Sequence, residues 1–238
     1  MPIQRSCAAW AATDIGLVRA GNEDVCAVPG WRSGPERERW CGSLSANGGW
    51  ALVADGMGGH AAGDVASALA VEALAPWMLG LADRDQVAAA LDTANARLYG
   101  AVATAPALAG MGTTVAGVVL HDNEVLAFNV GDSRIYALTG TGLVRISEDH
   151  ALGGGVLTQC LGGSRHPIPL DPLVARVRWE DVDLILLCSD GLTNMVDDAG
   201  IAGLLLARPE NPADAFVEAA LAAGGIDNVT VVVIEPPR

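Results

Sequence analysis

Four aspartates each follow apolar residues and precede Gly, Ser or Asn: Asp55, Asp132, Asp190 and Asp227. A buried strand that ends in a carboxylate directs that carboxylate at the rim of its sheet. Several carboxylates at a shared rim repel one another unless a cation lies among them. Oxygen-only ligands of this kind suit Mg²⁺ or Mn²⁺. The pattern therefore predicts a hard-metal site, and with it phosphate chemistry.

The charge of the chain excludes several classes of partner and reaction. The net charge is −14, from 28 acidic and 14 basic residues, which disfavours binding to nucleic acid or to an anionic membrane. All the basic residues are arginine. The chain therefore lacks the lysine of a Walker motif, of a Schiff base and of a protein kinase. A side chain that binds phosphate as a cation must be an arginine.

Length and cysteine usage indicate one domain in a reducing compartment. The 238 residues fit a single domain over residues 1–238. The five cysteines are odd in number and form no Cys-x-x-Cys, which argues against a disulfide framework or a zinc ribbon and favours the cytoplasm. We find no convincing signal peptide at the N-terminus. The uncharged stretch 99–120 contains Pro106 and several glycines, so we interpret it as loop and core strand rather than a membrane span.

Apolar runs and turn residues predict an α+β chain. Short polar turns at 121–124 and 139–142 indicate hairpins, and hence antiparallel strands. Helices are predicted over 61–79, from Asp83 or Asp85 onward, over 197–207, and from Asn211 to Gly224. Strands are predicted over Trp50–Ala54, Thr114–Leu120, Val125–Val130, Ile135–Leu138, Leu184–Cys188 and Val229–Ile234.

Singly, an Asp-Gly or Asp-Asn pair is usually a turn. The combination is far more specific, because a series of short motifs follows in one order along the whole chain. They are Arg-x-x-Asn-Glu-Asp at 19–24, Asp-Gly-Met-Gly-Gly-His at 55–60, Gly-Met-Gly-Thr-Thr at 110–114, Gly-Asp-Ser-Arg at 131–134, Glu-Asp-His at 148–150, Leu-Gly-Gly at 161–163, Ser-Asp-Gly-Leu at 189–192 and Asp-Asn-Val-Thr at 227–230. In these motifs and their order the chain resembles the metal-dependent serine/threonine protein phosphatases (PPM or type 2C), in their bacterial single-domain form.

The resemblance implies a four-layer α/β/β/α sandwich of two antiparallel sheets flanked by helices. It also implies a cluster of two Mn²⁺ or Mg²⁺ ions at one end, with a weaker third site. Asp55 would bridge the two ions, and Asp190 and Asp227 would complete the ligands of the first. The carbonyl of Gly56 would bind the second ion, and Glu23 would reach it through water.

Further roles follow from the same resemblance. Asp132 and Asp190 would form the third site, Arg19 would bind the phosphate of the substrate, and Asp24 would lie behind the cluster. His60 is either a structural residue near the cluster or an acid catalyst. His150 is expected to be a structural partner rather than a metal ligand.

Two segments depart from the family pattern. Only residues 151–160 separate His150 from Leu161, so the helical flap of many bacterial members is absent or reduced to a short loop. The segment Gly30–Gly49 is uncommonly long, and we expect an extended hairpin tip there. Its Trp31 and Trp40 are either core anchors or part of a partner surface.

The resemblance implies hydrolysis of phosphoserine and phosphothreonine on proteins by a metal-activated water. The partners would be phosphorylated proteins and a cognate bacterial serine/threonine kinase, with control of type VI secretion as one setting. The alternative is a catalytically inactive, phosphatase-like module that binds phosphoproteins.

Overall fold

Two antiparallel β-sheets lie face to face, and helices cover the outer face of each. The structure is a computed structural model that describes residues 5–58, 62–152 and 156–237. This arrangement confirms the predicted α+β class and the four-layer order of helix, sheet, sheet and helix. The end of the sandwich where several strands give way to loops carries the candidate site.

The chain passes between the two sheets several times. They are β1 (Ser6–Asp14), β2 (Asp24–Val28), β3 (Trp31–Arg32), β4 (Glu38–Ser45), β5 (Trp50–Met57), β6 (Gly112–Thr113), β7 (Val115–Leu120), β8 (Glu124–Val130), β9 (Arg134–Thr139), β10 (Gly142–Arg145), β11 (Ala151–Leu152), β12 (Val156–Leu157), β13 (Leu161–Gly162), β14 (Leu173–Arg178), β15 (Leu184–Cys188) and β16 (Val229–Glu235). The helices are α1 (Gly63–Leu74), α2 (Arg84–Thr104), α3 (Asp190–Thr193), α4 (Asp198–Ala207) and α5 (Pro212–Ala222).

The first sheet has the strand order β10-β9-β15-β16-β1-β4, and every neighbouring pair is antiparallel. The second sheet follows the order β13-β6-β5-β7-β8-β14, with β2 paired to β5 and β3 paired to β2. Strands β11 and β12 form a separate short hairpin. The turn from β8 to β9 passes from the second sheet to the first, so it lies at the seam between them.

Three apolar clusters hold the four layers together. One lies between the second sheet and α1 and α2, and another lies between the first sheet and α4 and α5. The cluster between the sheets is rich in alanine, because β1, β5, β7, β8 and β9 all turn alanines inward. Small side chains at this interface let the two sheets approach closely, and close packing holds their ends in a fixed relation.

The strands predicted from apolar runs are all present, with ends that move by at most a few residues. Asp83 and Asn211 cap α2 and α5 as expected, and Asp197 caps α4. Each accepts a hydrogen bond from a backbone N–H of the first turn. The interpretation of residues 99–120 was wrong at its start, because α2 continues to Thr104. Within the described residues, no helix combines the length and apolar character needed to cross a membrane.

The segment Gly30–Gly49 is not a hairpin tip. Its β3 pairs with β2 in the second sheet, whereas β4 pairs with β1 and forms an edge of the first sheet. Trp31 and Trp40 stack with ring centroids 6.2 Å apart and pack against the cluster between the sheets. Arg39 forms an ion pair of 3.1 Å with Asp214 of α5. The two tryptophans are therefore core anchors that close one side of the sandwich.

A prediction concerns Gly117 of β7, which lies opposite Phe128 of β8. A Cβ at position 117 would overlap the Phe128 ring and would come within 2.8 Å of Leu52 Cδ2. We expect Gly117→Ala to lower the free energy of unfolding by about 1–3 kcal/mol, because both neighbours are buried and closely packed. Urea denaturation measures this difference.

Gly100 provides the matched control, because it is exposed in α2 and a Cβ there meets no atom within 4 Å. Gly100→Ala should raise the free energy of unfolding by about 0.5–1 kcal/mol, since alanine favours a helix interior. Equal effects of the two substitutions would show that close approach at Gly117 does not matter.

Candidate metal centre and phosphate site

The fold brings the predicted site residues into one pocket of about 300 Å³. They come from five separate stretches of the chain. Those that line this pocket are Arg19, Glu23, Asp55, Gly56, Asp132, Asp190 and Asp227. We call it the acidic pocket.

Asp55 lies near the end of β5, where hydrogen bonds fix its backbone. Its N–H donates to Thr114 Oγ1 at 3.1 Å, and its carbonyl accepts from the Thr114 N–H and from Thr113 Oγ1, each at 2.9 Å. The strand therefore cannot shift without breaking one bond to Thr113 of β6 and two bonds to Thr114, which joins β6 to β7. The next residue, Gly56, has the Glu23 carbonyl 2.6 Å from the position of a Cβ, and the Gly63 carbonyl is closer still. Only glycine fits between these two carbonyls.

Asp190 and Asp227 lie together because β15 and β16 are antiparallel neighbours. Asp190 is the first residue of α3, two positions after the end of β15, and Asp227 lies two positions before the start of β16. The Ser189 N–H donates to the Thr230 carbonyl, and the Thr230 N–H donates to Ser189 Oγ, both at 3.0 Å. These bonds join the end of one strand to the beginning of the other, so both carboxylates are at the same end of the first sheet.

Asp132 lies in the turn between β8 and β9, at the seam of the two sheets. Gly131 before it has φ +102°, and a Cβ there would be 2.6 Å from Thr114 Cβ, so glycine is required on both counts. His150 supports this turn, because its backbone N–H donates to the Gly131 carbonyl at 2.9 Å and its Nδ1 accepts from the Gly131 N–H at 3.1 Å. His150 does not line the acidic pocket.

The loop between β1 and β2 carries Arg19 and Glu23, and Asn228 holds it in place. Asn228 Nδ2 donates to the carbonyls of Ile15 and Gly21 at 2.9 and 3.0 Å. Its Oδ1 accepts from the Glu23 N–H at 2.8 Å. The side chain is buried, so one amide fixes the loop at three points.

Arg19 is the cation of this pocket. Its Nη2 lies 2.6 Å from Asp227 Oδ2, and about half of the side chain remains exposed to solvent. The guanidinium has further N–H donors, and in this arrangement it can present them to an anion in the pocket. The same cation thus lies beside a predicted metal ligand and at the entrance of the site.

The carboxylates raise one another's pKa values. Burial raises the pKa of Asp55 well above its ordinary value, and repulsion from Asp24, Asp190 and Asp132 adds to this effect. Burial and repulsion from Asp190 raise the pKa of Asp132 to about 6. The pKa of Asp190 is also raised, first by burial and then by Asp227. A cluster of this kind holds protons near neutral pH unless a cation replaces them.

Asp24 lies behind the pocket wall. It is buried, it faces Asp55 directly across the pairing of β2 with β5, and it accepts a hydrogen bond of 2.7 Å from Ser189 Oγ. Burial raises its pKa to about 7, although bonds from Ser189 and Thr230 oppose this shift. Asp24 is not among the residues that line the acidic pocket, and its predicted role behind the metal cluster stays a hypothesis.

The donor set is suited to a hard divalent ion. The pocket offers five carboxylates and the backbone of Gly56, but no cysteine and no imidazole lines it among the described residues. Within this part of the chain, no three acidic, His or Cys side chains converge on one point as a closed metal cage. Mg²⁺ and related ions keep several water ligands, so an open group of carboxylates is suitable.

Two predicted features need separate mention. His60 lies outside the described residues, so its role stays a hypothesis. Between His150 and Leu161 the described residues form the short strands β11 and β12 and no helix, and Leu157 of β12 lines the acidic pocket. A small hairpin thus stands where many bacterial relatives were expected to carry a helical flap.

Sequence reasoning missed the residues that fix the ligands. Asn228, Thr113 and Thr114 were noted only as parts of motifs, without roles. Their signal was present, because each is a polar residue next to a strand of apolar residues and adjacent to a predicted ligand or motif glycine. A polar residue that is buried at such a place must find a partner, and here the partner is the backbone that carries the site.

Comparisons with known proteins agree with this geometry. The model of the family described as protein phosphatase 2C matches residues 39–222. A serine/threonine phosphatase, stp, of Listeria welshimeri is 34% identical over 212 residues, covering 77% of this chain and 83% of the relative.

Two solved structures are also similar. The catalytic domain of the serine threonine protein phosphatase PstP, in complex with two manganese ions, is 33% identical with a TM-score of 0.77, covering 97% of this chain and 98% of that one. PppA of Pseudomonas aeruginosa, described as a key regulatory component of T6SS, is 28% identical with a TM-score of 0.74, covering 97% and 99%. With its sequence motifs, its layered sheets and its acidic pocket, the chain belongs to the protein phosphatase 2C family.

Proposed function

We propose that this protein hydrolyses phosphoserine and phosphothreonine on proteins, with Mn²⁺ or Mg²⁺ as its cofactor. The observation that carries the proposal is the convergence of Arg19 and the carboxylates from separate stretches of the chain on one pocket. A phosphomonoester resists attack because its own oxygens are negative. When bound, two divalent ions would lower the pKa of a water molecule and neutralise this charge.

Separate residues are proposed to bind the metal ions and the phosphate group. Asp55, Asp190 and Asp227 are proposed to hold the ions, because β5 of one sheet and the ends of β15 and β16 in the other bring them to the lining of one pocket. The carbonyl of Gly56 and, through water, Glu23 are proposed to complete the second ion's ligands. These donors are held by backbone hydrogen bonds, so the ions would bind to a site that is already arranged.

Asp132 and Asp190 are proposed to form a third, weaker metal site. Asp132 lines the same pocket from the turn at the seam between the sheets, and its position depends on Gly131. Arg19 is proposed to bind the phosphate, because its planar guanidinium can donate two parallel hydrogen bonds to two phosphate oxygens.

A catalytically inactive binding module is the alternative function. Such a module would retain the fold and lose members of the carboxylate group. Here the expected aspartates are present and line one pocket, and the relatives are named as phosphatases. These observations favour catalysis.

The proposal includes a cellular setting in the cytoplasm and an opposing serine/threonine kinase. The printed description of PppA supports type VI secretion as one candidate pathway. Deletion of the gene, followed by quantitative phosphoproteomics, tests this part. Increased phosphorylation of the targets of one kinase is the expected result, and an unchanged phosphoproteome would contradict it.

A first prediction concerns the carboxylates. Asp55→Asn and Asp190→Asn should each reduce hydrolysis of p-nitrophenyl phosphate by at least a factor of about 100, since each removes a charge that holds metal. In the chelated protein the same substitutions should raise the thermal midpoint, because they relieve repulsion among buried carboxylates. Asp92→Asn, at an exposed position of α2, is the control and should change neither quantity. Near-normal turnover of Asp55→Asn with Mn²⁺ would count against the assignment.

A second prediction concerns Arg19. Arg19→Ala should raise KM for phosphopeptides and lower kcat/KM by about 10- to 100-fold, the magnitude of one or two charged hydrogen bonds. Manganese binding, measured by calorimetry, should persist. Arg19→Lys should recover part of the loss, because it restores the charge but not the fork. An unchanged KM in Arg19→Ala would contradict the role of Arg19 in phosphate binding.

A third prediction links pH and metal. The raised pKa values of Asp55, Asp132 and Asp190 mean that the folded, chelated protein binds more protons than the unfolded chain. Stability without metal should therefore fall as pH rises from about 5 to 7.5. Manganese replaces the protons, so its stabilising effect should grow over the same range. Scanning calorimetry with and without chelator measures both trends, and a chelated protein that gains stability toward pH 7.5 would refute the linkage.

A further inference from the structure

A second pocket, of about 150 Å³, adjoins the acidic pocket. Leu157 lines both of them. Met57 lines the acidic pocket, and its Cε lies 3.7 Å from the position of a Cβ at Gly163, which lines the second pocket. Two apolar side chains, Leu157 and Met57, thus lie between the acidic pocket and the second pocket. We call the second pocket the side pocket.

The side pocket differs in chemistry from the acidic pocket. No charged residue lines it among the described residues. Leu157, Ile168, Pro169 and Leu170 supply its apolar surface, and the uncharged polar residues Thr158, Gln159 and Ser164 also line it. Cys160 also lines it, and burial raises the pKa of this thiol to about 11, so the thiol is neutral and unreactive near pH 7. The side pocket is therefore suited to bind an uncharged group rather than to react.

The floor of the side pocket is fixed to the body of the fold. The Gly162 N–H donates to Asn95 Oδ1 of α2 at 2.8 Å, and the Gly163 N–H donates to the Met111 carbonyl at 2.7 Å. The Tyr99 hydroxyl lies 2.7 Å from Ser164 Oγ. A pocket that is built in advance loses little conformational entropy when it is filled.

We propose that the side pocket binds an apolar side chain of the substrate, close in sequence to the phosphorylated residue. This rests on the proposed function, because the phosphoryl group must occupy the acidic pocket. A cavity of about 150 Å³ with apolar walls accommodates a benzene ring, so a phenylalanine or leucine side chain fits. The shared wall at Leu157 places this side chain next to the phosphoryl group, and the pocket thus sets a preference for apolar over acidic or small neighbours.

Phosphothreonine peptides test the proposal. The series carries Phe, Leu, Ala or Asp at one position at a time, within three residues on either side of the phosphothreonine. At one or more positions we expect kcat/KM with Mn²⁺ to be about tenfold higher for Phe or Leu than for Ala, and lower again for Asp. Equal rates for Phe and Ala at every position would overturn the proposal.

Variants of Ile168 locate the preference. This residue is 55% exposed, so a polar side chain there is compatible with folding. Ile168→Glu should abolish the preference for Phe while hydrolysis of p-nitrophenyl phosphate and of the Ala peptide stays unchanged. Ile168→Ser, which adds no charge, should reduce it in the same direction. The control is Leu206→Glu, at a position 68% exposed on α4, which should keep the wild-type preference.

The outcomes separate the two proposals. A preference that survives in Ile168→Glu, or that is also lost in Leu206→Glu, would overturn the side pocket. Failure to hydrolyse any phosphopeptide while p-nitrophenyl phosphate is still hydrolysed would instead refute the protein-phosphatase function, and the side pocket with it.

Discussion

Repulsion between buried carboxylates is the constraint on which this structure depends. Asp24 and Asp55 face each other across paired strands, and Asp190 lies within hydrogen-bonding reach of Asp55. Like charges at such positions oppose folding. The fold tolerates them because Ser189 and Thr230 hydrogen-bond to Asp24. In addition, bound protons or divalent ions can neutralise the carboxylates and so remove the repulsion. Burial of the hydrophobic core can offset the free-energy cost of this repulsion. Metal binding then removes the repulsion and stabilises the folded protein.

The sandwich determines which carboxylates meet. The first sheet contributes Asp190 and Asp227, the second contributes Asp55 and the adjoining Glu23, and the turn at Asp132 joins the sheets. The site is therefore as rigid as the packing between the sheets, which the alanine-rich cluster and the stacked Trp31 and Trp40 secure. A change that lets the sheets slide would separate the ligands even though none of them was altered. The small side chains of the inter-sheet cluster therefore fix the positions of the carboxylates as well as stabilising the fold.

Local patterns in the sequence predicted the fully apolar strands and most of the helix caps. Burial of a strand on both faces and side-chain capping both depend on residues that are close together in the sequence. They did not predict β1, which is rich in alanine, or β14, where arginines alternate with apolar residues. The family motifs in order predicted which residues meet. They could not predict that Asn228 holds the loop of Arg19, because that contact joins residues 205 apart and exists only in the folded chain. Nor could they place β4, whose partner β1 was itself missed.

The short hairpin β11–β12 alters how a substrate would be recognised. A helical flap would form a separate wall over the acidic pocket, whereas here Leu157 is the hairpin residue that lines it. The remaining wall of the side pocket comes from residues 158–170. These residues are tied to α2 because Asn95 Oδ1 accepts a hydrogen bond from the Gly162 N–H and the Tyr99 hydroxyl bonds to Gly162 and Ser164. The side pocket is already formed before a substrate binds. Selectivity would therefore arise from the shape and uncharged lining of this pocket rather than from closure of a flap over the substrate. An acidic neighbour of the phosphorylated residue would lose water in the side pocket without meeting an opposite charge among the described lining residues, whereas an apolar neighbour gains contact there.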